Sequence, residues 1–136
     1  MKGIAVLGGA IVLTALLAWA ISFKNGRLAA KPDGEHLAAD VLGSSLGERA
    51  TLVQFSSAFC APCRATRVLL TDIAAKTPGV VTIEIDAEER LELTRQLNIL
   101  RTPTVLVLDA DGRITRRASG LPRRDQVLAA LGEAVA

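Results

Sequence analysis

From Gly3 to Phe23 the chain runs for 21 residues without a charge, GIAVLGGAIVLTALLAWAISF. No other feature restricts the fold so strongly. A helix of that length is roughly 31 Å long, enough to cross the hydrocarbon of a bilayer. Trp19 and Phe23 lie toward its C-terminal end, where aromatic rings suit the membrane interface. A core helix of a soluble domain rarely lacks charge over so long a run, so residues 1–23 are expected to form one N-terminal transmembrane helix. The alternative is a cleaved signal peptide. Ala18-Trp19-Ala20 has the small-x-small form of a cleavage site, but the apolar run continues past it and only Lys2 precedes it as a basic side chain. Lys24, Arg27 and Lys31 follow the run, against Lys2 before it. The bias of basic residues toward the cytoplasm favours that side for the rest of the chain, with the extracytoplasmic side as the alternative.

Residues 24–36, KNGRLAAKPDGEH, read as a linker. Asn25-Gly26, Pro32 and Asp33-Gly34 are turn signals. A flexible chain of that length spans about 20 Å, which would keep the C-terminal part of the chain close to the bilayer. Residues 37–136 are enough for one domain with its own core. The formal net charge is +2, with three Phe, one Trp and no Tyr. That is too little positive charge, and too few stacking rings, for a nucleic-acid partner.

Strand and helix signals alternate along this domain. Leu37–Leu42 is a weak element, read as a short strand. Thr51–Phe55 (TLVQF), Val80–Ile85 (VVTIEI) and Thr104–Leu108 (TVLVL) are β-rich runs. A helix is expected from the cysteine pair to about Lys76, with Val68, Leu69, Ile73 and Ala74 as its apolar stripe and Thr77-Pro78-Gly79 as its stop. A second helix is expected over Ala87–Leu97. Asp109-Ala-Asp111-Gly112 reads as a turn that returns Arg113–Ala118 as a hairpin partner. Pro122 suits the first turn of a last helix ending near Ala134. The order implies an α/β fold, a mixed sheet flanked by helices.

The chain has two cysteines, Cys60 and Cys63, around Ala61-Pro62. Two cysteines so close point to chemistry rather than to stapling of a small scaffold. At the start of a helix, positions i and i+3 share one face, so the two sulfurs can pair. The helix N-terminus favours a thiolate there. Pro62 fits because the N–H it lacks would have no helical partner. Cys60, ahead of the helix, is the expected attacker, and Cys63, one turn in, the resolving thiol. An inert bridge is the competing reading, but so short a loop gains little from closure. Zinc needs four ligands; no second CxxC is present, and His36, the one histidine, lies in the linker. No metal is expected, and His36 reads as a solvated loop residue.

With those elements in place, TLVQFSSAFCAPCR (Thr51–Arg64), VVTIEIDAE (Val80–Glu88) and LNILRTPTVLVLDADGR (Leu97–Arg113) resemble the thioredoxin-like family. The resemblance covers roughly Ala50–Ala134. It implies a thiol–disulfide oxidoreductase that exchanges electrons with protein disulfides or dithiols through Cys60 and Cys63. It implies that Pro103 is a cis-proline opposite the CxxC, that Thr102 offers backbone groups to a substrate peptide, and that Phe59 forms an apolar shoulder by the thiol. Gly120 matches a loop glycine near the groove. The sequence also departs from the family pattern. Gln54 stands where the family carries a buried acid, Thr82 is read at the place of its lysine partner, Ala61 replaces a glycine, and the N-terminal strand and helix are shortened. Gln54 can hydrogen-bond but cannot act as a general base, so Cys63 is expected to lack a dedicated base. No flavin or nicotinamide fingerprint is present, so no cofactor is expected and electrons must come from an upstream redox partner protein. The alternative is a redox-weak peptide-binding module, or a redox sensor in a membrane assembly. Arg113, Arg116, Arg117, Arg123 and Arg124 read as a solvated basic face.

Overall fold

Strand β2 (Ala50–Ser56) is buried at all of its residues, Thr51, Gln54 and Ser56 included, and so shows no alternation of buried and exposed positions. A strand so placed must be central and covered on both faces. The computed structural model, which describes residues 1–24, 29–30 and 35–136, shows both conditions met. β2 pairs in parallel with β3 (Val80–Asp86) and antiparallel with β4 (Thr104–Asp109). β4 pairs antiparallel with β5 (Ile114–Ser119), and β5 with the two-residue β1 (Ala29–Ala30). The sheet order is β1-β5-β4-β2-β3, a mixed sheet as expected.

Alternating side chains divide the core in two. Leu52, Val105 and Val107 face one way, packing with Leu70 and Ile73 of α3 (Ala61–Lys76) and Val127 and Leu131 of α5 (Arg124–Ala134). Val53, Phe55, Leu106 and Leu108 face the other, packing with Leu42 of α2 (Ala39–Leu42) and Leu93 of α4 (Leu91–Gln96). Burial of side chains this size contributes about 1.5–3 kcal/mol each relative to exposure, so the two layers supply most of what holds the sheet.

α1 (Lys2–Lys24) precedes the sheet, exposed along its described length. It is long and apolar enough to cross a membrane. The turn signals at Asn25-Gly26, Pro32 and Asp33-Gly34 lie outside the described residues. Within the same segment Ala29 lies across from Arg117 and Ala30 from Arg116, and His36 bridges Arg113.

Several boundaries differ from the sequence reading. Leu37–Leu42 is not a strand. Leu37 and Leu42 are both buried, which alternation cannot arrange five residues apart, and Gly43 (φ 73°) ends a single helical turn with its N–H on the Ala39 carbonyl. α4 starts four residues later than expected, because the Asp86 carboxylate accepts from the Glu88 N–H at 2.8 Å and holds Ala87–Glu89 in a turn. Pro122 lies before α5, not in its first turn, and is itself buried. The hairpin turn is as expected: the Asp109 carboxylate accepts from the Asp111 and Arg113 N–H groups, and Gly112 takes φ 85°.

Candidate functional site

The two cysteines meet where β2 hands over to α3. Cys60 is the N-cap of α3, with extended backbone (φ −128°, ψ 97°), and Ala61-Pro62 form the first turn. The pair is joined as a disulfide, with Cα atoms 5.2 Å apart. The Cys63 N–H, one of the helix's unpaired donors, points at the Cys60 sulfur at 3.2 Å. Cys60 is half-buried and Cys63 fully buried. A nucleophile from outside reaches the first sulfur and not the second.

Gln54 lies buried beneath this turn. Its side-chain Nε2 donates to the Cys63 carbonyl at 2.7 Å. Every buried polar side chain among the described residues, Gln54 included, is uncharged. Two positions of β3 stand near Gln54: Thr82 lines the same cavity, and Glu84 is its ladder partner. In the parallel ladder Glu84, not Thr82, lies across from Gln54, while Thr82 lies across from Leu52. Parallel register is fixed by packing on both faces, and no local pattern in the sequence reports it. Gln54 and Thr82, the two neutral groups expected there, share one cavity. An acid does stand beside Gln54, on the next strand, and it has its own partner. Glu84 accepts two hydrogen bonds from the Arg67 guanidinium on α3 and one from the Ser56 hydroxyl at 3.1 Å. Arg67 holds the Glu84 carboxyl below its usual pKa, against the opposing pull of partial burial. Gln54, Thr82, Arg67 and Glu84 together line a cavity of about 230 Å³.

Opposite the CxxC, the Thr102–Pro103 peptide bond is cis. The Pro103 carbonyl accepts from the Gly120 N–H at 2.7 Å, and Gly120 takes φ 94°, a conformation that favours glycine. Thr104 Oγ1 donates to the Arg101 carbonyl at 2.6 Å and closes the turn. Ala61, Pro62, Thr102, Pro103 and Gly120 line one groove of about 560 Å³, with Arg101 and Leu121 on its walls and Ser22 of α1 at one side. The groove thus brings together Pro62, Thr102 and Pro103. Phe59 stands fully exposed beside Cys60, outside that lining.

Three contributions had no sequence signal. The Ser57 and Thr102 hydroxyls meet at 2.9 Å. Arg117 donates from its two Nη atoms to the Leu97 and Asn98 carbonyls, each at 2.7 Å, and so caps the end of α4 from which the Thr102 loop departs. Arg67 and Glu84 close the cavity below Gln54. Of the other arginines in that basic set, Arg116 pairs with Glu133, Arg123 with Asp125 and Arg124 with Asp72. Arg117, half-buried and bonded to two carbonyls, departs from the solvated reading, while Arg113 stays exposed. Among the described residues no group of His, Cys, Asp or Glu could hold a metal ion.

A disulfide at a helix start, its Ala61-Pro62 turn sharing one groove with a cis-proline loop at the end of a mixed sheet, defines a thioredoxin-fold domain with a cysteine pair placed for exchange. The sequence profile of the thioredoxin family matches residues 33–133, and the chain belongs to that family. It is 32% identical over 88 residues to a thioredoxin of Alicyclobacillus acidocaldarius, covering 64% of this chain and 83% of that protein. It is 36% identical over 62 residues to a putative thioredoxin H10 of Arabidopsis thaliana, covering 46% of this chain. The chain spans only 40% of that relative's length, and 53% of a rice thioredoxin H5. The fold superposes on spinach chloroplast thioredoxin f with a TM-score of 0.58 at 22% identity, over 66% of this chain and 80% of that one.

Proposed function

We propose that this chain is a membrane-tethered thiol–disulfide oxidoreductase acting on protein disulfides or dithiols. The observation that carries the proposal is the cysteine pair itself: a half-exposed Cys60 capping α3, disulfide-bonded to a buried Cys63. In the reducing direction, the Cys60 thiolate attacks one sulfur of a substrate disulfide. A Cys60–substrate bond forms, and the other substrate sulfur leaves as a thiolate and takes a proton. Cys63, as thiolate, then attacks the Cys60 sulfur. The second substrate sulfur leaves, and Cys60–Cys63 closes. Two electrons pass from the pair to the substrate. A dithiol protein resets the pair by the same steps in reverse, and every step can equally run the other way.

The rest of the site has supporting roles in this reading. Thr102 and Pro103 receive the extended segment flanking the substrate cystine, and Phe59 gives it an apolar shoulder. Pro62 shapes the first turn, and Gln54 pins the Cys63 carbonyl without offering a base. Residues 1–23 anchor the domain to a membrane, 24–36 tether it, and 37–136 carry the chemistry.

The test is to equilibrate the full chain in detergent with a graded glutathione or dithiothreitol couple, alkylate, and weigh it. A single reversible two-electron transition supports the proposal. Thiols that never pair, or a bond that never reduces, would reject it. Retention of a bound partner by Cys60→Ser would then point to a peptide-binding module, a reading to which the missing base at Gln54 lends weight.

A further inference from the structure

The β2–β4 ladder ends at Phe55 and Thr104, which lie across from each other. Continuing that antiparallel register by two residues on each strand brings Ser57 opposite Thr102. No backbone rung joins the strands there. Proline has no N–H to give, and the Pro103 carbonyl already accepts from Gly120. The two hydroxyls meet instead, Ser57 Oγ to Thr102 Oγ1 at 2.9 Å, with both residues half-buried. Among the described residues the backbone N–H and C=O of Thr102 make no hydrogen bond. Thr102 thus keeps an open backbone edge, and its hydroxyl is tied to the loop that leads into Cys60.

We propose that Ser57 is a positioning residue for substrate docking: through its hydroxyl it holds the open edge of Thr102 in register with the cysteine loop. The inference rests on the reading that Thr102 receives substrate backbone. A segment adding alongside Thr102 must also deliver its sulfur to Cys60, so the spacing of the two loops sets whether both contacts are made at once. A side-chain rung fixes that spacing before the substrate arrives, which lowers the ordering cost of binding. Because both hydroxyls are within reach of water, losing one strands no buried group. The effect therefore falls on association rather than on folding.

The full chain in detergent is assayed with a disulfide-bonded, fluorescence-quenched peptide, dithiothreitol being the reductant. Ser57→Ala is expected to raise KM about three- to tenfold, the worth of one ordinary hydrogen bond, with kcat, midpoint potential and Tm close to wild type. Thr102→Val should raise KM similarly, and the double variant should be no worse than the worse single one, because both remove the same bond. Ser57→Thr, which keeps the hydroxyl, should return KM toward wild type. An active wild type with Ser57→Ala unchanged in KM overturns the role of Ser57 alone, as do single effects that multiply in the double variant. A parallel fall of kcat and Tm in Ser57→Ala also overturns it, since Ser57 would then be merely structural. A wild type that never reduces the peptide rejects the oxidoreductase reading, and this inference with it.

Discussion

The unequal burial of the two sulfurs assigns them unequal work. Cys63→Ser is expected to leave Cys60 able to attack but nothing to release the product, so a disulfide peptide should accumulate as a covalent adduct seen by mass. Cys60→Ser should give neither adduct nor turnover; an adduct on Cys63 would reverse the assignment. Gln54 invites the opposite kind of variant. Gln54→Asp supplies a carboxylate beside Cys63, and insulin reduction followed across pH should speed up if the missing base limits the rate. No gain at any pH would show that water or another group already serves. The sequence displayed this residue-level chemistry well: the CxxC announces itself by type and spacing, and Gln54 stands out through the resemblance to the thioredoxin-like family. It did not display Ser57, an ordinary loop serine whose meaning comes only from the residue it faces.

At the scale of elements, the pair between α3 and β3 has a definite pH signature. Arg67 lowers the pKa of Glu84 in the folded chain. A lowered folded pKa gives stabilisation that is present above the unfolded value, about 4.3, and is lost as pH falls through the folded one. Glu84→Gln should therefore lower Tm near neutral pH, and the gap to wild type should close in acid. A gap that persists in strong acid would mean that packing rather than charge is involved. Arg117 holds α4 differently, by two hydrogen bonds to carbonyls at its end. Arg117→Met should cost about 1–3 kcal/mol, measured by urea unfolding, and raise amide exchange around Asn98. The sequence located these elements but not their joins. β2, β3 and β4 were legible as β-rich runs, and α3 by its stripe and its stop at Thr77-Pro78-Gly79. The turn after Asp86 and the register opposite Gln54 were not, because one depends on a single side-chain acceptor and the other on packing from both faces.

For the molecule as a whole, the helix and the sheet impose separate requirements. The α/β class followed from the order of runs, and the apolar N-terminal helix from its lack of charge. β1 could not be foreseen, since Ala29–Ala30 carries no strand signal and pairs only because β5 offers an open edge. The distribution of basic residues around α1 favours a cytoplasmic domain. A membrane-impermeant maleimide, applied after mild reduction, should then label the cysteines only once cells are opened. Labelling in intact cells would put the domain outside.

The neutral core beneath the disulfide has an electrochemical consequence. Reduction of the pair takes up two electrons, and two protons wherever both thiols stay protonated. No ionisable group lies among the fully buried polar side chains described, and Glu84, whose pKa Arg67 lowers, stays ionised near neutral pH, so no third proton is expected with them there. The midpoint potential should then fall along a straight line, about 59 mV for each unit of pH, since two protons change the equilibrium about a hundredfold and each tenfold is about 30 mV. The line should bend where a cysteine itself ionises, and in acid where Glu84 takes up its proton. Such a protein reports the acidity of its compartment directly in its driving force.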